Sequence, residues 1–203
     1  MYEVRSDRLY ADGVPVEFRS TPNVGGALKP RFLVIHYTAG RSHESSVAWM
    51  CNPASRASAQ LCIGRDGKVT QLAPFNKVCW HAGESQWQGL TGLNRHSIGI
   101  ELDNAGVLQR GGDGAWHPWF GGAIPNTDVI VASHAKGGGE RGWHNFPTVQ
   151  IDAALAVAEA LQDAYGFEDV LGHDDISWDR KTDPGPAFPM ISFRSRVVGR
   201  SDA

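Results

Sequence analysis

Residues 32–35, Phe-Leu-Val-Ile, form an unbroken apolar run that ends on His36. A run without polar alternation, with β-branched Val34 and Ile35 in it, fits a strand covered on both faces. Such a strand needs a layered domain, with cover above and below a sheet. Other segments supply strands for that sheet. Residues 97–102, SIGIEL, alternate, so Ile98, Ile100 and Leu102 share one face while Gly99 and Glu101 share the other. Residues 59–72 read as two strands across an Asp66-Gly67 turn, and residues 8–18 as a hairpin turning at Asp12-Gly13. Residues 20–30 form a Pro- and Gly-rich connection.

Cover comes from two helical patterns. Residues 44–51 form a short helix that must stop before Pro53. Residues 150–165, QIDAALAVAEALQDAY, repeat apolar positions at three and four, and Gly166 follows as a C-cap. Strands mixed with helices predict an α/β fold: a single domain over residues 1–203, with a central mixed β-sheet flanked by helices. Residues 105–149 stand apart, with ten glycines and three of the seven tryptophans. They read as long loops around one short strand, Val129 to Ala132. Most of this region is expected to cover the sheet, with one or two residues touching a ligand.

Composition narrows the class. A chain of 203 residues, 41% hydrophobic and 20% charged, can bury one ordinary core. A formal net charge of -3 provides no general basic face for nucleic acid. No stretch approaches the roughly 18 apolar residues of a membrane span. The first residues carry charges throughout and do not resemble a secretory signal. A soluble protein is expected, with the cytoplasm favoured and periplasmic or exported delivery the alternative. The three cysteines, Cys51, Cys62 and Cys79, are odd in number and form no C-x-x-C pair, so they read as small buried hydrophobes.

Three apolar runs stop at an ionisable residue: His36 in VIHYTAG, Glu101 in GIELDN and His173 in LGHDD. Farther on, RKTDPGP sets Lys181 and Asp183 beside Pro184 and Gly185. Each is weak alone, since a single histidine is more often structural and Asp before Pro is commonly a turn. Spacing does not bring them together. As a set they are chemically useful. Two imidazoles and a carboxylate leave the fourth position on zinc open to water, whose pKa the metal lowers. A nearby carboxylate can move a proton, and a lysine can stabilise an oxyanion.

Four segments in order, VIHYTAG, WHAGES, NRHSIGIELDN and LGHDDISWDRKTDPGPAFP, resemble the type 2 amidase family, to which the peptidoglycan recognition proteins are related. The likeness runs from about Phe32 to Pro189. It implies the recognition-protein fold and a Zn2+ cofactor. It also implies hydrolysis of the amide between N-acetylmuramic acid and L-alanine in peptidoglycan or muropeptides. The zinc ligands it implies are His36, His173 and Asp183. In the AmpD-like branch it further implies catalytic roles for Glu101 and Lys181. His173 and Lys181 keep that branch's eight-residue separation, and Lys181 and Asp183 its two-residue separation.

The chain departs from the family pattern at SAQLCI, where SAHYLI is usual: Gln60 replaces a common histidine, and Leu61 stands where a tyrosine assists catalysis in other branches. That leaves Glu101 as the better candidate. The resemblance also marks His81 and Asn94 as substrate-binding candidates. Loop anchoring is an equal reading for His81, and positioning of the loop before the Glu101 strand is the alternative for Asn94. His43, His96, His117, His134 and His144 read as solvated or locally hydrogen-bonded, and Asp174-Asp175 as a solvated turn or support for the ligands. Two other functions fit the same residues: a binding module that has lost catalysis, and a zinc peptidase cutting within the stem peptide.

Overall fold

The structure, a computed structural model, describes residues 1–200. Six strands form the main sheet in the order Asp169–Gly172, Phe32–Tyr37, Ser97–Leu102, Leu61–Ile63, Val69–Gln71, Glu17–Phe18. The first four run parallel to one another. Leu61–Ile63 then turns back antiparallel onto Val69–Gln71, through Gly67 at φ +82°. The sheet is therefore mixed, as expected.

Four α-helices accompany it among the described residues: α1 (His43–Met50), α2 (Thr148–Tyr165), α3 (His173–Ile176) and α4 (Met190–Val198). Helix α2 ends where Gly166 takes φ 63° and its N–H caps Gln162 O, a conformation that spares glycine the usual Cβ penalty. The apolar stripe of α2, Ala154, Leu155, Val157, Ala158 and Leu161, joins one core with Leu33, Ile35, Ile98, Ile100 and Leu102. The opposite face of the sheet buries Phe32 and Val34 against Ala82, Leu93, Leu171 and Ile176. Both faces are covered, as the apolar run at 32–35 requires. By strand alternation, His36 falls on the face of Phe32 and Val34, away from α2.

The N-terminal hairpin forms as predicted, with Tyr10 opposite Pro15 and Ala11 opposite Val14. Tyr2–Arg5 adds a third strand to it. Gln71 joins this meander to the main sheet, accepting from Leu9 N at 3.0 Å and donating to Asp7 O at 3.0 Å. Within the 20–30 connection, Val24–Ala27 is a short strand paired with Lys77–Cys79.

The 105–149 region differs from the loops expected. It folds as a four-stranded antiparallel sheet in the order Trp116–His117, Val107–Arg110, Gly137–His144, Val129–His134. Residues 137–141 are all exposed, so no buried-exposed alternation marks the strand. Its ladder rests on backbone N–H and C=O groups, which glycine supplies as well as any residue. Trp143 anchors the sheet from below: it is buried, its Nε1 donates to Ala132 O at 3.0 Å, and it packs on Gly185.

Candidate active site

The parallel strands determine where the candidate residues meet. Glu101 lies directly across from His36, and Gly172 across from Ile35, so His173 emerges beside His36. The carboxyl ends of parallel strands leave a crevice where loops diverge. The last candidate arrives from the 177–185 loop, where Asp174 N donates to Asp183 O at 2.8 Å and Lys181 N to Ser177 O at 2.9 Å.

His36 Nδ1, His173 Nδ1 and Asp183 Oδ2 form a triangle with sides of 2.9, 3.1 and 3.0 Å. All three residues are buried. The partners assign the tautomers. His173 Nε2 lies 3.1 Å from Ala82 O, which can only accept, so that nitrogen carries the proton. His81 Nε2 faces Ser97 O at 3.4 Å, leaving His81 Nδ1 to accept from His36 Nε2 at 3.0 Å. With the rings neutral, two imidazole lone pairs and a carboxylate oxygen converge within about 3 Å of one another. Such a group repels itself unless a cation lies between its members. The edges resemble the roughly 3.3 Å edge of a tetrahedron built on 2.0–2.1 Å zinc bonds. The donor set fits zinc.

Electrostatics agree. Burial, helped by neighbouring His173 and opposed by Asp183, holds the His36 imidazole down at about 4. Burial, then His36 and His173, keeps His81 well below the ordinary histidine value. Burial would raise the Asp183 carboxyl, but its close approach to His173 and His36 outweighs that and holds the carboxyl well below the usual range. His36 and Asp183 are therefore held in the deprotonated forms that a metal would need.

Glu101 sits beside this triangle. Burial, with the Asp183 charge adding and Lys181 opposing, pushes its carboxyl up to about 8. Its Oε2 is buried without a hydrogen-bond partner among the described residues. Glu101, His81, Lys181 and Asp183 all line one cleft of about 750 Å³. On its rim, Tyr37 OH meets Thr182 Oγ1 at 3.0 Å, and burial pushes the Tyr37 phenol up to about 12. Lys136, from the glycine-rich sheet, donates its ammonium to Lys181 O and lies over the Trp178 ring. The second sheet thereby braces the loop carrying Lys181 and Asp183.

The other candidates support these groups. His81 is buried behind His36. Asn94 Oδ1 accepts from His81 N at 3.0 Å and Ala82 N at 2.7 Å, so it fixes the loop that holds both ligand histidines in orientation. Groups behind a metal ligand fix its tautomer and direction. Sequence reasoning overlooked this role for His81, although Gly99 is a trace of it. A Cβ on Gly99 would lie 2.6 Å from His81 Cγ, and glycine inside a strand often marks a close approach. Gly99→Ala should destabilise the fold by about 1–3 kcal/mol through overpacking. An unchanged urea midpoint would contradict that close contact.

The two departures also become intelligible. Gln60 is fully buried and bridges two elements, accepting from Gly99 N at 2.8 Å and donating to Lys77 O at 2.9 Å. Leu61 packs in the core with Ile100 and α2, on the face away from His36. Asp174 accepts from His134 Nε2 at 2.9 Å, while Asp175 binds Gly172 N at 2.8 Å and Arg194 at 2.7 Å. The pair is therefore a support for α3 rather than a solvated turn. His117 has a local partner in Asp113, whereas His43 and His144 are buried and bond distant parts of the chain, Thr70 and Ala105 N.

A mixed sheet with a buried His-His-Asp group at its parallel-strand ends defines an α/β domain whose crevice could hold a metal ion. Residues 26–186 match the family model described as N-acetylmuramoyl-L-alanine amidase, and the chain belongs to that family. It is 37% identical over 144 residues to 1,6-anhydro-N-acetylmuramyl-L-alanine amidase AmpD of Escherichia coli, covering 70% of this chain and 59% of that protein. It is 32% identical over 178 residues to N-acetylmuramoyl-L-alanine amidase AmiD of the same organism, covering 83% and 54%. The chain thus spans somewhat over half the length of these relatives. The solved complex of AmiD with anhydro-N-acetylmuramic acid-L-Ala-D-gamma-Glu-L-Lys superposes with a TM-score of 0.64 at 26% identity, covering 99% of this chain and 66% of that one. No helix among the described residues is long and apolar enough to cross a membrane.

Proposed function

We propose that this chain hydrolyses the amide between N-acetylmuramic acid and L-alanine in muropeptides or peptidoglycan, with zinc held by His36, His173 and Asp183. The observation that carries the reading is the convergence of three metal-donor atoms beside a buried, unpartnered Glu101 oxygen. The names of the amidase relatives, and the muropeptide bound to AmiD, supply the substrate class. Zinc, when bound, supplies Lewis acidity and lowers the pKa of water to about 7.

The chain's own groups do the rest. In its ionised form, which the neighbouring Lys181 charge favours, Glu101, beside His36 in the sheet, takes a proton from the attacking water and returns it to the leaving amine nitrogen of alanine. Lys181 shares the cleft and opposes the rise in the Glu101 carboxyl, which sets its ammonium within electrostatic reach of the reacting centre. There it stabilises negative charge developing on the carbonyl oxygen. Burial of the Glu101 carboxyl strengthens its electrostatic interactions.

Mass spectrometry of digested muropeptides tests the reaction. Release of intact stem peptide beginning at L-alanine is expected. A shortened stem would make the chain a peptidase. Bound but uncut muropeptide would make it a binding module.

A further inference from the structure

The cleft extends well past the metal-donor triangle, and its outer walls are aromatic. Trp49 on α1 is 59% exposed, Trp80 37% and Trp119 77%, and all three line the same cleft as Glu101 and Lys181. Exposed indoles normally bury against something, because each hides a large apolar area when covered. Three in one cleft are a concentration of aromatic surface rather than scattered single residues.

Trp119 is held in place while its ring stays uncovered. Its Nε1 donates to Ala39 O at 2.8 Å, and Phe120 packs edge-on at 5.8 Å. Arg41 closes the clasp, donating to Phe120 O at 2.5 Å with its guanidinium 5.0 Å from the Phe120 ring. Ala39 itself holds a left-handed φ of 50°, which turns its backbone out of the His36 strand just there. The tip of the glycine-rich sheet is thus pinned to the loop after the His36 strand, and Trp119 presents a fixed face to the cleft.

We propose that Trp119, with Trp49 and Trp80, forms a saccharide shelf that binds glycan sugars beyond the muramoyl residue at the scissile amide. The inference rests on the amidase reading for the direction of the substrate. A pyranose offers a face of C–H bonds, slightly positive, that matches the negative face of an indole. Its hydroxyl and N-acetyl groups meet polar lining residues, among them the exposed Ser45. The anionic stem peptide fits this wall less well. Of the cleft's cations, Arg41 is engaged with the Phe120 carbonyl and ring, Arg180 with the Ala82 and Glu84 carbonyls, and Lys181 lies by Glu101 rather than on this wall. The shelf makes the enzyme prefer oligomeric glycan over a single muramoyl sugar.

The probe is a peptide-free β-1,4-linked tetrasaccharide of N-acetylglucosamine, titrated into the whole protein by calorimetry and tryptophan fluorescence. Binding is expected, weakened at least tenfold in Trp119→Ala and partly recovered in Trp119→Phe. With muramoyl-peptide substrates, Trp119→Ala should raise KM far more for an oligosaccharide than for a single sugar, while kcat and zinc content stay close to normal. Absence of tetrasaccharide binding, binding unchanged by Trp119→Ala, or equal losses on both substrates overturns the shelf. Free stem peptide whose binding depends on Trp119 would also overturn it, assigning the wall to peptide. The titration needs no turnover. Saccharide binding without amide cleavage would therefore sink the amidase reading and leave the shelf standing.

Discussion

Chelation should reduce turnover to background, and about one equivalent of zinc per chain should restore it. The expectation follows from the 2.9–3.1 Å triangle of His36, His173 and Asp183 and from the proton assignments around it. His81 and the Ala82 carbonyl orient the two imidazoles so that both lone pairs face inward before any metal arrives. Preorganisation of this kind raises affinity, because the ordering is done by the fold. Zinc at 1,000 times its dissociation constant should add about 4 kcal/mol of stability, so the chelated protein should melt at a lower temperature. His36→Ala should lose zinc as well as turnover, since it removes a ligand and not merely a charge. Full activity in a sample shown by elemental analysis to contain no metal would sink the assignment.

Glu101→Gln and Lys181→Ala should each lower kcat by roughly 100- to 1000-fold while zinc content stays normal. The contrast with His36→Ala separates proton transfer and charge stabilisation from metal binding. Glu101 also makes a prediction that needs no substrate. In the chelated protein its carboxyl titrates at about 8, against 4.5 for an ordinary glutamate. Between those values the folded protein holds a proton that the unfolded chain has released. Its contribution to stability is therefore fully present below 4.5 and is lost as pH rises through 8. Glu101→Gln should flatten that decline, and the difference between variant and parent isolates this group from His36, whose depressed value acts in the opposite sense. If the two proteins show parallel urea midpoints from pH 5 to 9, the Glu101 carboxyl is not held in a buried, charge-averse site. Near-normal turnover in Glu101→Gln would remove it as the base.

Much of the framework was legible because local rules and tertiary needs coincide there. The apolar run at 32–35, the alternation at 97–102 and the three-four periodicity at 150–165 each state how much of a segment must be buried and on which sides. Gly67 and Gly166 mark a turn and a helix end because backbone geometry at those points excludes most side chains. The Gly-rich strand at 137–144 carries no such mark. Its pairing comes from backbone groups, and its side chains record almost nothing of it.

The site divides along the same line. Sequence by itself determined which residue types stand where buried runs end: His36 and Glu101, each one residue before its strand stops, and His173, the first residue beyond its strand. It also determined which face of its strand Glu101 occupies, since alternation follows from the pleat. Only the tertiary structure decided that these ends meet. Parallel pairing sets Glu101 across from His36 and brings His173 beside it, although His36 and His173 are 137 residues apart in the chain. It likewise decided that His81 stands against His36, its Nδ1 accepting from His36 Nε2, and that Trp119 reaches the cleft from a region whose sequence looks like loop. The reason is physical: burial and periodicity act on neighbours along the chain, whereas a lone pair or an indole face acquires its partner only when distant strands fall into register.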